Sequence, residues 1–407
     1  MESYRLRNPF LRVLTKSIWD YPVPCNLSVW WNFGSLLGFC LLVQIVTGLF
    51  LAMHYTPHVD YAFGSIMHII RDVKEGWFLR SVHVNFASGF FFCLYCHIGR
   101  GIYYGSVDNE KVWLTGVTLY LLVCAEAFFG YVLPWGQMSY WGATVITSML
   151  TVIPWCGVAL TEFVWGDYCV GDATLKRFYV FHFLLPFVIA GVAVIHIFYL
   201  HQEDSNCPLG GLSMVQMVPF HPYYTLKDLT GILAFCFMMN FFVLLYPDTF
   251  LACENWLKAN PMKTPLNIKP EWYFMFAYTI LRSIPHKTGG IVVMASSILV
   301  LYLFPFFNWG EMRSGAFYLP FQVIFWCWVV VFLLLIRTGH AHVRPVYVSL
   351  GYCLTIFYFA LIFLMVYSQL IWDYFLFSFS PVRVKKGVAA SEGSEVKESL
   401  VVSGQCV

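Results

Sequence analysis

The 407 residues read as an all-α, polytopic membrane bundle of about eight transmembrane helices, and three observations carry that reading. Apolar residues make up 59% of the chain and charged residues 11%, where a soluble domain carries ~25% charged residues. Apolar segments long enough to cross a hydrocarbon core ~30 Å thick recur at about 28–53, 81–104, 112–133, 178–200, 229–246, 288–309, 315–336 and 346–372. A backbone in lipid must also pair every N–H and C=O internally, within its own segment or within a closed barrel.

The elements follow in chain order. No charged n-region with a short apolar core and small-residue cleavage site opens the chain, and no Arg- and Ser-rich transit pattern does, so the chain is expected to enter the membrane through its own first spans. The first span carries Gly34 and Gly48, the second His83 and His97, the third Gly116 and Gly130, and the fourth His182 and His196. Each pair is fourteen residues apart. At ~100° and ~1.5 Å per residue, the two members of a pair differ by ~40° around the helix and stand ~21 Å apart along it. Each histidine-bearing span therefore offers one imidazole near each membrane face.

Imidazole is an axial ligand for haem iron. The second and fourth of a series of spans run in the same direction, so His83 is expected to face His182 and His97 to face His196. That would make two bis-histidine sites stacked across the membrane, the geometry of a transmembrane electron wire. Glycine is disfavoured in helix interiors and lets bulky groups approach the backbone. Flat porphyrins edging against the first and third spans would explain Gly34, Gly48, Gly116 and Gly130, while close helix packing in lipid is the competing account of the glycines. A single intramembrane histidine reads equally as a proton relay; four in register favour haem. His54, His58, His68, His286, His340 and His342 fall in loops or at span ends and are assigned no role.

Arg80 and Arg100 flank the second span, each within reach of haem propionates on its side, for which a planar guanidinium is well suited; snorkelling to headgroups competes. Cys93-Leu94-Tyr95-Cys96-His97 fits the signature of covalent c-type haem attachment. It sits inside an apolar span, and His97 already serves the bis-histidine site without thioether bonds. The thirteen cysteines are scattered singly, as at Cys40, Cys124, Cys236, Cys327 and Cys353, so no disulfide framework is expected. A net charge of +2 offers no basic stripe for nucleic acid. Lys and Arg fall equally on the two sides of the membrane, so loop charge does not set the orientation.

Three stretches are specific enough to carry a resemblance: Trp30-Trp31-Asn32-Phe33-Gly34-Ser35-Leu36-Leu37-Gly38; Gly130-Tyr131-Val132-Leu133-Pro134-Trp135-Gly136-Gln137-Met138-Ser139, continuing through Trp141-Gly142-Ala143-Thr144-Val145-Ile146-Thr147; and Lys269-Pro270-Glu271-Trp272-Tyr273-Phe274. From about residue 5 to about 375 the chain resembles the cytochrome b subunits of mitochondrial and bacterial quinol:cytochrome c oxidoreductases (bc complexes). The resemblance implies two non-covalent b haems. His83 and His182 would hold the low-potential haem near the intermembrane side, and His97 and His196 the high-potential haem near the matrix, with the N-terminus in the matrix of a mitochondrial inner membrane.

It further implies that ubiquinol is oxidised on the intermembrane side in a pocket holding Tyr131, Gly142, Glu271, Phe274 and Tyr278. Quinol oxidation needs a proton acceptor, and partial burial would raise the pKa of Glu271 toward that task. Read alone, Pro270-Glu271-Trp272-Tyr273 is better explained as an interfacial aromatic anchor with a solvated carboxylate. Ubiquinone would be reduced on the matrix side near His201, Ser205, Lys227 and Asp228, a plausible proton-delivery set, although solvated loop charges look the same in a sequence. A Rieske iron–sulfur protein, a c-type cytochrome subunit, other bc-complex subunits, membrane lipid and a dimeric assembly are the implied partners. An electron crossing inward against the membrane potential costs about 2.3 kcal/mol per 100 mV. A potential gap between two haems with identical histidine ligands must offset part of it, from burial, hydrogen bonds or macrocycle distortion.

The division expected is a haem-binding four-helix bundle over 1–210, a four-span part with the quinol-site loop over 211–380, and a polar tail over 381–407. The tail runs from Val382-Arg383-Val384-Lys385-Lys386-Gly387 to Gln405-Cys406-Val407 and departs from the family pattern. So does the basic loop Arg337-Thr338-Gly339-His340-Ala341-His342-Val343-Arg344-Pro345. Eight spans in one chain argue against a split chloroplast-type chain. A haem-free proton-coupled transporter using intramembrane histidines is the rival of another class, and the repeated halves with broken helices common in transporters are not evident.

Overall fold

A computed structural model describes residues 4–203, 205–210, 216–307 and 309–378; the expected tail over 381–407 lies outside them. Eight helices among the described residues are long and apolar enough to cross a membrane, with bounds Val29–Ala52, Gly76–Tyr103, Glu110–Val132, Asp172–Gln202, Phe220–Leu245, Lys287–Phe306, Leu319–His340 and Pro345–Phe377. They are called the first to eighth spans below.

Hydropathy located every span, and the ends differ where local chemistry overrides it. The fifth begins at Phe220 instead of about 229, because its first turns carry Tyr223, Tyr224, Thr225, Lys227 and Asp228, polar enough to hide a helix. The sixth is α-helical only over Lys287–Leu299 and tightens into a 3₁₀ stretch over Val300–Phe306 that contains Pro305. Proline removes a backbone donor and clashes with the preceding turn of an α-helix, and 3₁₀ turns are a common way for a helix to end.

The spans pack as neighbours in sequence: first on second, third on fourth, seventh on eighth, with the fifth lying against the first and second. A short helix, Met275–Ser283, packs against the seventh and eighth spans. Aromatic rings fill the seam between the second span and the loop that precedes this helix. Phe91 stacks on Tyr273 with ring centroids 4.0 Å apart and planes 1° from parallel, and the Tyr95 hydroxyl donates to the Tyr273 carbonyl. The loop carrying Glu271 is thereby fastened to the second span.

At the other end of the bundle, Pro22–Pro24 pairs antiparallel with Met217–Pro219, Val23 opposite Val218. The Tyr224 hydroxyl donates to the Pro24 carbonyl at 2.7 Å. This ribbon ties the segment before the first span to the start of the fifth. A buried polar cluster closes the same end: Tyr318 donates to Asp373 at 2.8 Å, and Asp373 accepts from the Glu311 amide at 2.6 Å. Both satisfy groups that would be costly to bury unpaired. The described cysteines are free thiols.

Candidate haem and quinone sites

The four spacing-related histidines meet in two pairs. The rings of His83 and His182 have centroids 6.2 Å apart at an interplanar angle of 86°; those of His97 and His196 are 6.4 Å apart at 58°. Two imidazoles on opposite sides of one metal ion, each with a bond of about 2 Å, put their centroids roughly 6 Å apart.

The partners of Nδ1 decide which ring nitrogen is free. The Thr47 hydroxyl donates its one proton to the Val43 carbonyl at 2.7 Å, so at 2.8 Å from His83 Nδ1 it acts as acceptor. Thr115 repeats this: it donates to the Lys111 carbonyl at 2.7 Å and stands 3.0 Å from His196 Nδ1. His182 Nδ1 faces the Glu126 carbonyl at 3.1 Å and the Glu126 carboxyl at 2.7 Å. In all three rings Nδ1 carries the proton, which leaves the Nε2 lone pair for a metal, the arrangement by which outer groups orient metal-ligating histidines.

His97 is the exception. Its Nδ1 lies 3.2 Å from Arg100 Nη2, a group that can only donate. Arg100 is half-buried, its Nε is buried without a hydrogen-bond partner, and among the described residues it forms no ion pair; its guanidinium rests over the Trp31 ring. A buried cation without an anion is costly. A haem propionate would supply the missing charge, so the residues present fit the group.

The four glycines occupy a place sequence reasoning assigned to porphyrin edges, and the structure gives them a different neighbour. A Cβ on Gly34, Gly48 or Gly116 would lie 3.4, 3.2 or 3.2 Å from Cε1 of His97, His83 or His196, and a Cβ on Gly130 would lie 2.4 Å from Cε1 of His182. Each glycine makes room for the imidazole of the facing span. The shared fourteen-residue spacing in all four spans follows from that ring-into-notch fit.

A cavity of about 260 Å³ opens between the hairpin of the first two spans and that of the next two. Gly48, Arg80, His83, Gly130 and His182 line it, and it continues to Tyr131 and Glu271. Arg80 does not stand free: its Nη1 is 3.7 Å from Asp248 and its guanidinium lies over Trp256. Burial pushes the Glu271 carboxyl up to about 7, while the adjacent Tyr131 hydroxyl pulls it the other way. Gly142, Phe274 and Tyr278 do not line this cavity. Gly142 has Tyr131 as its nearest neighbour, 4.0 Å from an added Cβ. Phe274 packs edge-on against Phe91 at 5.5 Å. Tyr278 donates to the Ile268 carbonyl at 3.2 Å and so pins the loop just before Glu271.

The set expected at the opposite face is arranged around a wall that sequence reasoning missed, residues 21–35. His201 stacks on Tyr21, centroids 4.2 Å apart. Lys227 donates through Nζ to the Leu27 carbonyl at 2.5 Å, and Asp228 lies beside the Ser35 hydroxyl. Ser205 is half-buried beyond the fourth span. The basic loop after the seventh span folds with Lys269 around a separate cleft of about 300 Å³ that includes Arg337, His340, His342 and Arg344. Cys93 is buried and faces Cys40 on the first span.

Three further residues at the histidines escaped the sequence: Thr47 and Thr115, ordinary in an apolar helix, and Glu126. The last did leave a signal, since an ionisable side chain inside a span is a functional candidate by default.

Residues 18–204 match the family described as Cytochrome b/b6/petB, and residues 258–359 the family described as Cytochrome b(C-terminal)/b6/petD. The chain belongs to the cytochrome b family. It is 52% identical over 354 residues to cytochrome b of Mytilus edulis, across 87% of this chain and 89% of that one. Its fold matches a chain of a hyperthermophilic respiratory complex III with a TM-score of 0.84 at 30% identity, covering 90% of this chain and 98% of the other. As a member of this family the chain binds haem b and is an electron-transfer subunit of a bc complex. The transporter alternative finds no support in these likenesses.

Proposed function

We propose that this cytochrome b is the catalytic membrane subunit of a proton-translocating quinol:cytochrome c reductase in the mitochondrial inner membrane. It would oxidise ubiquinol at the Glu271 side and reduce ubiquinone at the His201 side. The observation that carries this is the continuity of one cavity from the His83/His182 pair to Glu271. When bound, two b haems supply one-electron carriers near the two faces, so that the two electrons of a quinol can take different paths, one to an external acceptor and one across the membrane.

The residues then have distinct tasks. His83 and His182 would hold one haem and His97 and His196 the other, with Nε2 of His83, His182 and His196 already free for the metal and Arg80 and Arg100 placed for propionates. Glu271 accepts a proton from the quinol hydroxyl: a carboxyl poised near the working pH is efficient both at taking a proton and at giving it up to water. Tyr131 shares that end of the cavity, Tyr273 and Phe91 stack as a rigid wall, and Gly142, Phe274 and Tyr278 shape the space behind. At the other face His201, Lys227 and Asp228, with Ser205, feed protons to the reduced quinone. The electron that does not cross leaves for a Rieske iron–sulfur protein and then a c-type cytochrome subunit, in a dimeric complex with further subunits and lipid.

Glu271→Gln tests the reading. Since the ionised form is the acceptor, quinol oxidation by the intact complex rises as pH climbs through about 7. The variant loses about a hundredfold or more of the rate and flattens that limb, with haem content unchanged. A variant that keeps the rate and the limb would contradict the assignment.

A further inference from the structure

The two histidine pairs share ligand chemistry and differ in what stands behind the rings. His83 and His196 each lean on a threonine hydroxyl already committed to its own helix. His97 faces a guanidinium. Only His182 meets a carboxyl group: Glu126 Oε1 lies 2.7 Å from Nδ1, while Glu126 Oε2 is buried without a hydrogen-bond partner. The third span places Glu126 one helical turn before Gly130, the residue whose missing side chain admits the same imidazole. Carboxyl and notch thus hold the His182 ring from one helix.

We infer that Glu126 is a positioning residue that, through its hydrogen bond to His182 Nδ1, lowers the midpoint potential of the haem held by His83 and His182. The inference rests on the proposed bis-histidine ligation. A strong acceptor at Nδ1 draws the proton outward, gives the imidazole imidazolate character and makes Nε2 a better donor to iron. A stronger donor favours the ferric over the ferrous state, and hydrogen bonding around the ligands is one of the protein's levers on haem potential. The hydroxyl behind His83 is a weaker acceptor, and the guanidinium beside His97 acts in the opposite sense. With identical ligands at both ends, this difference supplies part of the gap that drives an electron from one face to the other.

Redox titration of the purified complex containing Glu126→Gln is the test. The backbone carbonyl of residue 126 remains 3.1 Å from Nδ1, so the ring keeps its tautomer and only the carboxyl is removed. At a fixed potential the reduced-to-oxidised ratio of the His83/His182 haem rises about tenfold, about 59 mV for one electron, while the other haem stays within twofold. Glu126→Thr, which installs the group used behind His83, moves the same haem in the same direction. In the unmodified complex, an infrared redox-difference spectrum shows a glutamate carboxyl band that follows this haem and persists in Glu271→Gln. That band decides the matter if neither variant at residue 126 assembles. An unmoved or lowered potential, equal movement of both haems, or absence of the band overturns the inference. A His182→Leu complex that retains both haems would instead overturn the ligation on which it rests.

Discussion

The two ends of the histidine bundle are built to one plan and furnished with opposite charge. At each end two imidazoles face each other across a similar gap, each ring fits a glycine notch, and one Nδ1 is held by a threonine. The remaining Nδ1 meets Glu126 at one end and Arg100 at the other. The first end opens into a cavity that reaches Glu271; at the second, the half-buried Arg100 lays its guanidinium over the Trp31 ring. In the proposed reading, ligation follows from what the ends share, and the direction of electron flow from what they do not.

The most severe way to break the comparison is to remove a ligand. His182→Leu is expected to take haem content from two per chain to one and to abolish quinol oxidation, read by extraction and by steady-state turnover. Loss of both haems would mean that the ends are not independent sites, and loss of neither that His182 is not a haem ligand.

A notch substitution at each end probes the same difference more gently. Gly130→Ala puts a methyl 2.4 Å from the His182 ring, whereas Gly34→Ala puts one 3.4 Å from the His97 ring. The first is expected to displace its imidazole, costing about 1–3 kcal/mol as an overpacking change and lowering haem occupancy at that end. The second is nearly neutral. Thermal unfolding and the haem spectra of the two variants distinguish them, and equal effects would contradict the ring-into-notch account.

The smallest effect falls on the shared element. Thr47→Val and Thr115→Val each delete one acceptor and are expected to cost about 1 kcal/mol by the same amount at both ends, with both haems retained. A marked asymmetry between the pair would show that the threonines, and not Glu126 and Arg100, separate the two ends.

The spacing of four histidines and four glycines was legible because helical periodicity converts sequence distance directly into position along and around a span. The glycines were legible as notches but not as notches for what, since a missing side chain carries no record of its occupant. Glu126 disappeared into a window dominated by its apolar neighbours, and its role depends on a residue fifty-six positions away. The wall formed by residues 21–35 was invisible for a similar reason: a short strand pair joining Pro22–Pro24 to Met217–Pro219 has no periodic signature of its own. The aromatic run around Glu271 was read as either a headgroup anchor or a reactive loop. The stack of Tyr273 on Phe91 and the burial of the carboxyl favour the second.

The most direct test of the central claim is a haem count on the purified chain or complex, by reduced-minus-oxidised spectrum followed by acid-acetone extraction. Two extractable b haems per chain are predicted, one for each histidine pair. A single haem per chain, or one that resists extraction and is therefore bound through Cys93 and Cys96, would contradict it.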